Sequence, residues 1–301
     1  MIDLSEVPVG VVTRFAPSLT GYLHLGHVLH MIHVWGIARA KGGTVVARIE
    51  DHDLSRRRPE FERAILDDMD WLGFVPDRGL SASDAAAPSP YRQSDCANHY
   101  AAGLDELREK GLVYGCACSR KEILEKQSDG QGELCYPGTC EEKELPLEGH
   151  TVRFRIHSGA IAFNDLALGT CHQAPVGQCG DFSLRDRHGQ WTYQFCCVCD
   201  DIRQGVNLVV RGEDILSSSG RQILLFEALG SAPPQYFHHG LICNAHGEKL
   251  SKRQRAESIT QLRESGVSPQ EVIGQAAHAG GLVDAPAPLS VREAIALFDL
   301  P

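Results

Sequence analysis

The first quarter of the sequence alternates between two hydrophobic periods, and nothing else in the chain restricts its fold as tightly. "VGVVTRFAP" (9–17) is a short β-branched run that ends at Pro17, as a buried strand does. After turn residues Thr20 and Gly21, "LHLGHVLHMIHVWGIARAKG" (23–42) repeats apolar residues at helical spacing and stops at Gly42. "TVVARIED" (44–51) is again strand-like and ends in the acidic pair Glu50 and Asp51. "RPEFERAILDDMDWLGF" (58–74) is an amphipathic helix with Pro59 in its first turn. Strand, helix, strand, helix predicts a βαβ unit, and hence an α/β fold on a parallel sheet.

Further along, "YRQSDCANHYAAGLDELREKG" (91–111) reads as another helix. Residues 114–185 change character, being rich in Cys, Gly and short strand-like runs such as "TVRFRI", and are expected to form an inserted, mostly irregular or β subdomain. Alternation resumes with "WTYQFCCVCDD" (191–201) and "NLVVRGED" (207–214), both expected as strands, and "SSGRQILLFEALG" (218–230), expected as a helix. The stretch after Arg253 is expected to be mainly helical, broken by "VDAPAPLS". The boundaries implied are 1–113, 114–185, 186–240 and 241–301.

Composition narrows the class. Hydrophobic content of 43% and charged content of 23% fit a globular protein, and no apolar run approaches the ~18 residues of a membrane span. "MIDLSEVP" carries acidic residues and no apolar signal core, so a cytoplasmic location without membrane attachment is expected. A net charge of −10 argues against indiscriminate nucleic-acid binding while leaving room for a local basic groove. The arginines of "SRRRPEFER" (55–63) are read as a solvated helix start. Eleven cysteines, an odd number in a long chain, point to reduced thiols and a metal rather than to a disulfide scaffold.

Two segments suggest a nucleotide site. In open α/β sheets ligands gather at the carboxyl ends of the strands, and the first strand runs directly into a helix whose first turn holds "HLGH" (24–27). His24 and His27, at i and i+3, share a face and can both donate to phosphate oxygens beside the positive end of the helix. Gly26 would let a base or ribose approach the backbone. "EKLSKR" (248–253) supplies Lys249 and Lys252 on a polar stretch that can close on the phosphates of ATP.

Together these segments resemble the HIGH and KMSKS signatures of class I aminoacyl-tRNA synthetases. "RFAPSLTGYLHLGH", "RIED", "WLGF", "CDDIRQGVNLVVRGED" and "KLSKR" further resemble the catalytic core of glutamyl-tRNA synthetases, from about residue 12 to residue 253. The resemblance implies a Rossmann-type catalytic domain in two halves (1–113 and 186–240), an insertion at 114–185, and a KMSKS-like loop with a small helical tail at 241–301. It implies catalytic roles for His24, His27, Lys249 and Lys252, with ATP bound by His24, Gly26, His27 and Lys252 and accompanied by Mg²⁺. It assigns glutamate binding to Arg14, Ala16, Ser18, Glu50, Tyr193 and Arg211. The chemistry agrees: two arginines can meet carboxylates, Glu50 can face an ammonium, and Tyr193 offers a hydroxyl. Which arginine holds which carboxylate stays open.

Cys116 and Cys118 of "YGCACS", with Cys135, Tyr136 and Cys140 of "CYPGTC", have the makings of a structural zinc site around a turn. In short synthetase relatives the ligands are three cysteines and a tyrosine, which match Cys116, Cys118, Tyr136 and Cys140. Cys135 is a departure that competes with Tyr136 for the fourth place. The Cys-x-x-Cys within "CCVC" (196–199) is read as core, because positions 196 and 199 of a strand face opposite ways.

A conventional glutamyl-tRNA synthetase continues beyond KMSKS into helical anticodon-reading domains, whereas the 48 residues after Arg253 are near the lower limit of roughly 50 for an independent domain, so no anticodon-binding domain is expected. That architecture resembles the glutamyl-queuosine tRNA(Asp) synthetase family, which implies glutamate, ATP and queuosine-bearing tRNA(Asp) as partners, and a monomer is expected. A shortened glutamyl-tRNA synthetase charging the 3′ end of tRNA(Glu), or a non-catalytic paralogue binding tRNA or nucleotide, are the alternatives.

Overall fold

The structure is a computed structural model that describes residues 4–55, 57–84, 88–126, 134–157, 159–242 and 257–299. Strands β1 (Val12–Phe15) and β2 (Thr44–Ala47) pair in parallel from Val12↔Thr44 to Phe15↔Ala47, with helix α1 (Leu25–Ala40) between them in the chain. Helix α2 (Pro59–Leu72) leads to β3 (Arg78–Gly79), parallel to β2. The βαβ alternation is therefore realised. Gly73 ends α2 in the left-handed conformation (φ 84°), which a residue with a Cβ rarely adopts.

After α3 (Ala97–Glu109), strand β4 (Val113–Cys116) precedes the short helix α4 (Arg120–Lys126). β5 (Thr151–Phe154), β6 (Ile161–Asp165), β7 (Gly169–Gln173), helix α5 (Pro175–Gln178) and β8 (Ser183–Arg185) follow. These strands divide between two sheets. β4, β5 and β8 form an antiparallel sheet of their own, whereas the β6–β7 hairpin joins the second parallel sheet, in the order β7-β6-β10-β9. That sheet pairs β9 (Leu208–Gly212) with β10 (Gln235–His239) in parallel, and helix α7 (Ser219–Ala228) connects them.

The two parallel sheets meet along β1 and β9, where side chains do much of the joining. The Asn207 N–H donates to Val12 O (3.0 Å), Val12 N–H donates to Asn207 Oδ1 (2.8 Å), and Arg14 Nη1 donates to Val210 O (3.2 Å).

"WTYQFCCVCDD" is not a strand. Tyr193–Gln204 is helix α6, closed by Gly205 at φ 71°. Every residue from Phe195 to Asp201 is buried, and a short continuous apolar run has no period by which strand and helix can be told apart. On a helix Cys196 and Cys199 share a face, so the geometric reason for discounting them fails. The reading as core holds: both are buried, packed with Tyr100, Leu104 and Phe195.

α1 is buried all round, from Met31 to Ala38 without a break, as expected of a helix wrapped by other elements. Of the helices after residue 256, α9 (Pro269–Ala279) and α10 (Val291–Ala296) pack on it, while α8 (Ile259–Glu264) packs on α2 and α9; Ser258, Ser268 and Ser290 cap the three. Phe298 lies so close to Gly36 that a Cβ there would come within 2.2 Å of the ring. Asp68 of α2 ties down α8, accepting from Thr260 Oγ1 (2.9 Å) and pairing with Arg263 (3.0 Å). No helix among the described residues is long and apolar enough to cross a membrane.

Candidate active site

A cleft of about 790 Å³ opens at the carboxyl ends of β1 and β9, with the first turn of α1 on one side. His24 is the residue that starts α1, in extended conformation (φ −140°, ψ 175°), and its Nδ1 accepts the Gly26 N–H at 3.1 Å. His27 reciprocates: its Nδ1 accepts the His24 N–H at 3.1 Å, and the two rings lie 4.0 Å apart. Because each Nδ1 is an acceptor, the proton of each neutral imidazole sits on Nε2. The helix N-terminus thus carries two preset N–H donors beside its own dipole, suited to an anion. Gly26 serves this arrangement directly, since a Cβ at that position would lie 3.0 Å from Cε1 of His24.

Below the cleft lies a layer of buried charge. Arg48 donates to Asp201 (2.7 Å), Gln204 (2.9 Å) and Glu50 (3.2 Å), and Arg14 reaches the second oxygen of Asp201 at 3.4 Å. Asp200 accepts from Arg203 (2.7 Å), Gln93 (3.0 Å) and the Tyr100 hydroxyl (2.9 Å). Burial works against the charge of Asp201, but Arg48 and Arg14 outweigh it and hold the carboxyl below its ordinary range. Three guanidinium groups (Arg14, Arg48, Arg203) therefore face three carboxylates (Glu50, Asp200, Asp201), and the layer is neutral as a unit.

Arg211 differs. It is 2% exposed on β9, and its donors go to His238 Nε2 (3.0 Å), Gln222 Oε1 (2.7 Å) and Ser219 Oγ (2.9 Å). None of these is a carboxylate. A guanidinium has five N–H groups, so, counted against the described residues, two donors remain for whatever enters the cleft. Tyr193, the first residue of α6, also lines the cleft, and burial raises its hydroxyl pKa, keeping it a donor.

Of the residues expected from sequence, Ala16, Ser18, His24, Gly26, His27, Glu50, Tyr193 and Arg211 all line this one cleft. Arg14 lies in the charged layer, 4% exposed. Lys249 and Lys252 lie outside the described residues. Arg48, Asp200, Asp201, His238 and Gln222 were not singled out by sequence reasoning. For Arg48, Asp200 and Asp201 the signal was present in "ARIED" and "CVCDD", where charges interrupt runs that burial would otherwise make apolar; His238 and Gln222 carried none.

A second cluster sits at the end of β4. The Sγ atoms of Cys116, Cys118 and Cys140 lie within 4.8 Å of one another, with Cys118 and Cys140 at 3.6 Å. The Tyr136 hydroxyl accepts from Cys116 Sγ (3.3 Å) and from the Cys140 N–H (2.8 Å), whereas Cys135 Sγ reaches toward Val176 O instead. Gly180, at φ 61°, makes this placement possible, since a Cβ there would lie 2.0 Å from Tyr136 O. Burial opposes ionisation of Cys140, but hydrogen bonds from the Ala117 backbone and Tyr136 prevail and bring the thiol down to about 7.

Comparison with known proteins agrees with this geometry. Residues 10–285 match the family of class I tRNA synthetases (E and Q), catalytic domain. The chain is 38% identical to the glutamyl-Q tRNA(Asp) synthetase of Symbiobacterium thermophilum, covering 95% of this chain and 92% of that one. It is 39% identical to the protein of the same name from Nitratidesulfovibrio vulgaris, covering 95% and 91%. The glutamate–tRNA ligase of Anaeromyxobacter sp. strain K is 37% identical over 95% of this chain but only 61% of its own length. The crystal structure of glutamate-tRNA synthetase from Elizabethkingia anophelis superposes with a TM-score of 0.79 at 27% identity, covering 97% of this chain and 66% of that one. The chain thus spans part of these last two proteins and nearly all of the first two.

Proposed function

Because the chain belongs to the class I tRNA synthetases of the glutamate and glutamine branch, with glutamyl-Q tRNA(Asp) synthetases as near full-length relatives, we propose that it activates glutamate with ATP and transfers it to queuosine in the anticodon of tRNA(Asp). The observation that carries the choice of amino acid is Arg211, a buried cation in the cleft whose hydrogen-bond partners among the described residues are all neutral.

In this reading the side-chain carboxylate of glutamate takes the two remaining donors of Arg211. Glu50, held through one oxygen by Arg48, receives the ammonium. Ala16, Ser18 and Tyr193 complete the glutamate pocket, and Arg14 adds positive potential from below. The α-carboxylate then attacks the α-phosphorus of ATP, forming glutamyl adenylate and expelling pyrophosphate. His24 and His27 donate Nε2–H to phosphate oxygens at the N-terminus of α1, beside Gly26, and Lys249 and Lys252 add charge to the leaving pyrophosphate, with Mg²⁺ accompanying ATP. A hydroxyl of the queuosine cyclopentene ring next attacks the acyl carbon and AMP leaves. Positioning and charge stabilisation supply the rate, without a covalent enzyme intermediate.

The thiol cluster suits a structural zinc held by Cys116, Cys118, Cys140 and Tyr136. Tetrahedral thiolates at ~2.3 Å from zinc sit about 3.8 Å apart, close to the Cys118–Cys140 separation. Such an ion would cross-link the segment after β4 to the 134–140 loop.

The test uses radiolabelled glutamate with tRNA(Asp), with and without queuosine, and with tRNA(Glu), followed by nuclease mapping. Label confined to an anticodon-loop fragment of queuosine-bearing tRNA(Asp) is the expected result. Label on a 3′-terminal adenosine, or equal charging of tRNA lacking queuosine, would replace this reading by that of a shortened glutamyl-tRNA synthetase.

A further inference from the structure

Arg211 is aimed by groups that reach it from the inserted hairpin. His238, on β10 beside Arg211, accepts from Arg211 Nε–H through Nε2 (3.0 Å), and its Nδ1 meets Asp165 Oδ2 at 2.5 Å. Asp165 is the last residue of β6, and its other oxygen accepts from the N–H groups of Ala167 and Leu168 (both 3.0 Å) at the hairpin turn. It also accepts from the backbone N–H of His238 at 3.3 Å. The outer strand makes a parallel connection: Gln173 at the end of β7 accepts from Gly220 N–H (2.8 Å) and donates to Leu216 O (2.7 Å). Those residues flank Ser219, another acceptor for Arg211.

We propose that Asp165 and His238 are positioning residues for the substrate's side-chain carboxylate, acting through Arg211, and that the β6–β7 hairpin is their frame. The proposal rests on the assignment of Arg211 to that carboxylate. Its physical content is the tautomer. An aspartate on Nδ1 fixes the imidazole proton there and leaves the Nε2 lone pair for Arg211. If the proton sat on Nε2 instead, it would point at the Arg211 N–H, and the guanidinium would have to turn. Gln222 and Ser219 hold the two Nη groups, and Ser219 Oγ lies 3.3 Å from His238 Nε2, so the imidazole is the partner that meets both Nε and the serine. His238 is thus the partner that sets which edge of the guanidinium faces the cleft.

Two measurements on the full chain test this. The first is ring ¹⁵N NMR of histidine-labelled protein, with His238 assigned by its absence in His238→Gln. The Nδ1–H tautomer is expected in the wild type and its loss in Asp165→Leu, with Asp165→Asn, whose carbonyl still accepts, retaining it. The second is glutamate-dependent pyrophosphate exchange. His238→Ala should raise the KM for glutamate about 10-fold or more, with the KM for ATP unchanged and kcat less affected, and His238→Gln, which restores an acceptor near Nε2, should recover most of the loss. An Nε2–H tautomer in the wild type, or a glutamate KM in His238→Ala within about 2-fold of wild type, overturns the proposal. Wild-type protein with no glutamate-dependent exchange would remove the functional reading instead, and the tautomer then decides the relay alone, Nδ1–H supporting it and Nε2–H overturning it.

Discussion

Beneath the cleft Arg14, Arg48 and Arg203 face Glu50, Asp200 and Asp201, so a ligand's charge is felt most at Arg211, which touches no carboxylate among the described residues and has Asp165 only beyond the His238 ring. Removing Arg211 should therefore act on binding: Arg211→Ala is expected to raise the glutamate KM in pyrophosphate exchange by roughly 10- to 100-fold, the worth of a lost charge-assisted hydrogen bond, with the KM for ATP nearly unchanged. An equal rise in both constants would show that the variant damages the cleft as a whole. The side chains lining the cleft were largely legible in the sequence, because the HLGH turn and the ends of two strands mark where ligands collect. Arg48, Asp201 and His238 were not, since a charge's function depends on which opposite charge the fold brings to it. Arg48 and Asp201 are far apart in sequence and 2.7 Å apart in space. Cys135 and Tyr136 are adjacent in sequence, and only the fold distinguishes the residue that faces the thiols.

Elements were readable wherever their period was. The strands β1 and β2 and the helix α2 show it plainly; α1, buried all round, is betrayed by the length of its apolar stretch instead, and in α6 the apolar run Phe195–Cys199 is too short to tell helix from strand. Gly205, a left-handed terminator, was the one overlooked helical clue. Two helices also carry opposite pH signatures. Burial raises Asp68 of α2 to about 6, above its ordinary 3.8, against the smaller opposing effects of Thr260 and Arg263. Its contribution to stability is greatest below pH ~4 and is lost as pH rises through about 6. Burial lowers His33 of α1 to about 3, with nearby His239 adding to the effect, so stability is lost as pH falls below about 6.5 and the unfolded chain takes up the proton. Thermal denaturation between pH 4 and 8 should resolve the two. Asp68→Asn should steepen the net loss toward acid, and His33→Phe should flatten it. Parallel pH profiles for wild type and both variants would contradict these assignments.

For the molecule as a whole, the thiol cluster predicts that purified protein contains about one zinc per chain. Cys116→Ser or Cys140→Ser should release the metal and lower Tm, while Cys199→Ser, in the core, should leave it bound. Metal analysis finding no zinc in freshly prepared wild-type protein would refute this. The C-terminal helices give a second handle on overall stability. Gly36→Ala forces Phe298 out of its notch on α1 and should cost about 1–3 kcal/mol in urea denaturation. Asp201 has a consequence that reaches beyond a single molecule. One carboxylate serves both Arg14 and Arg48, and while Arg48 also meets Glu50, Arg14 has no second carboxylate among the described residues, so replacing Asp201 alone strands a buried cation and tolerated lineages would have to exchange Asp201 and Arg14 together. This pair should drift as a block: sequence change would accumulate freely around it, while the two residues pass from ancestor to descendant intact or are replaced in concert.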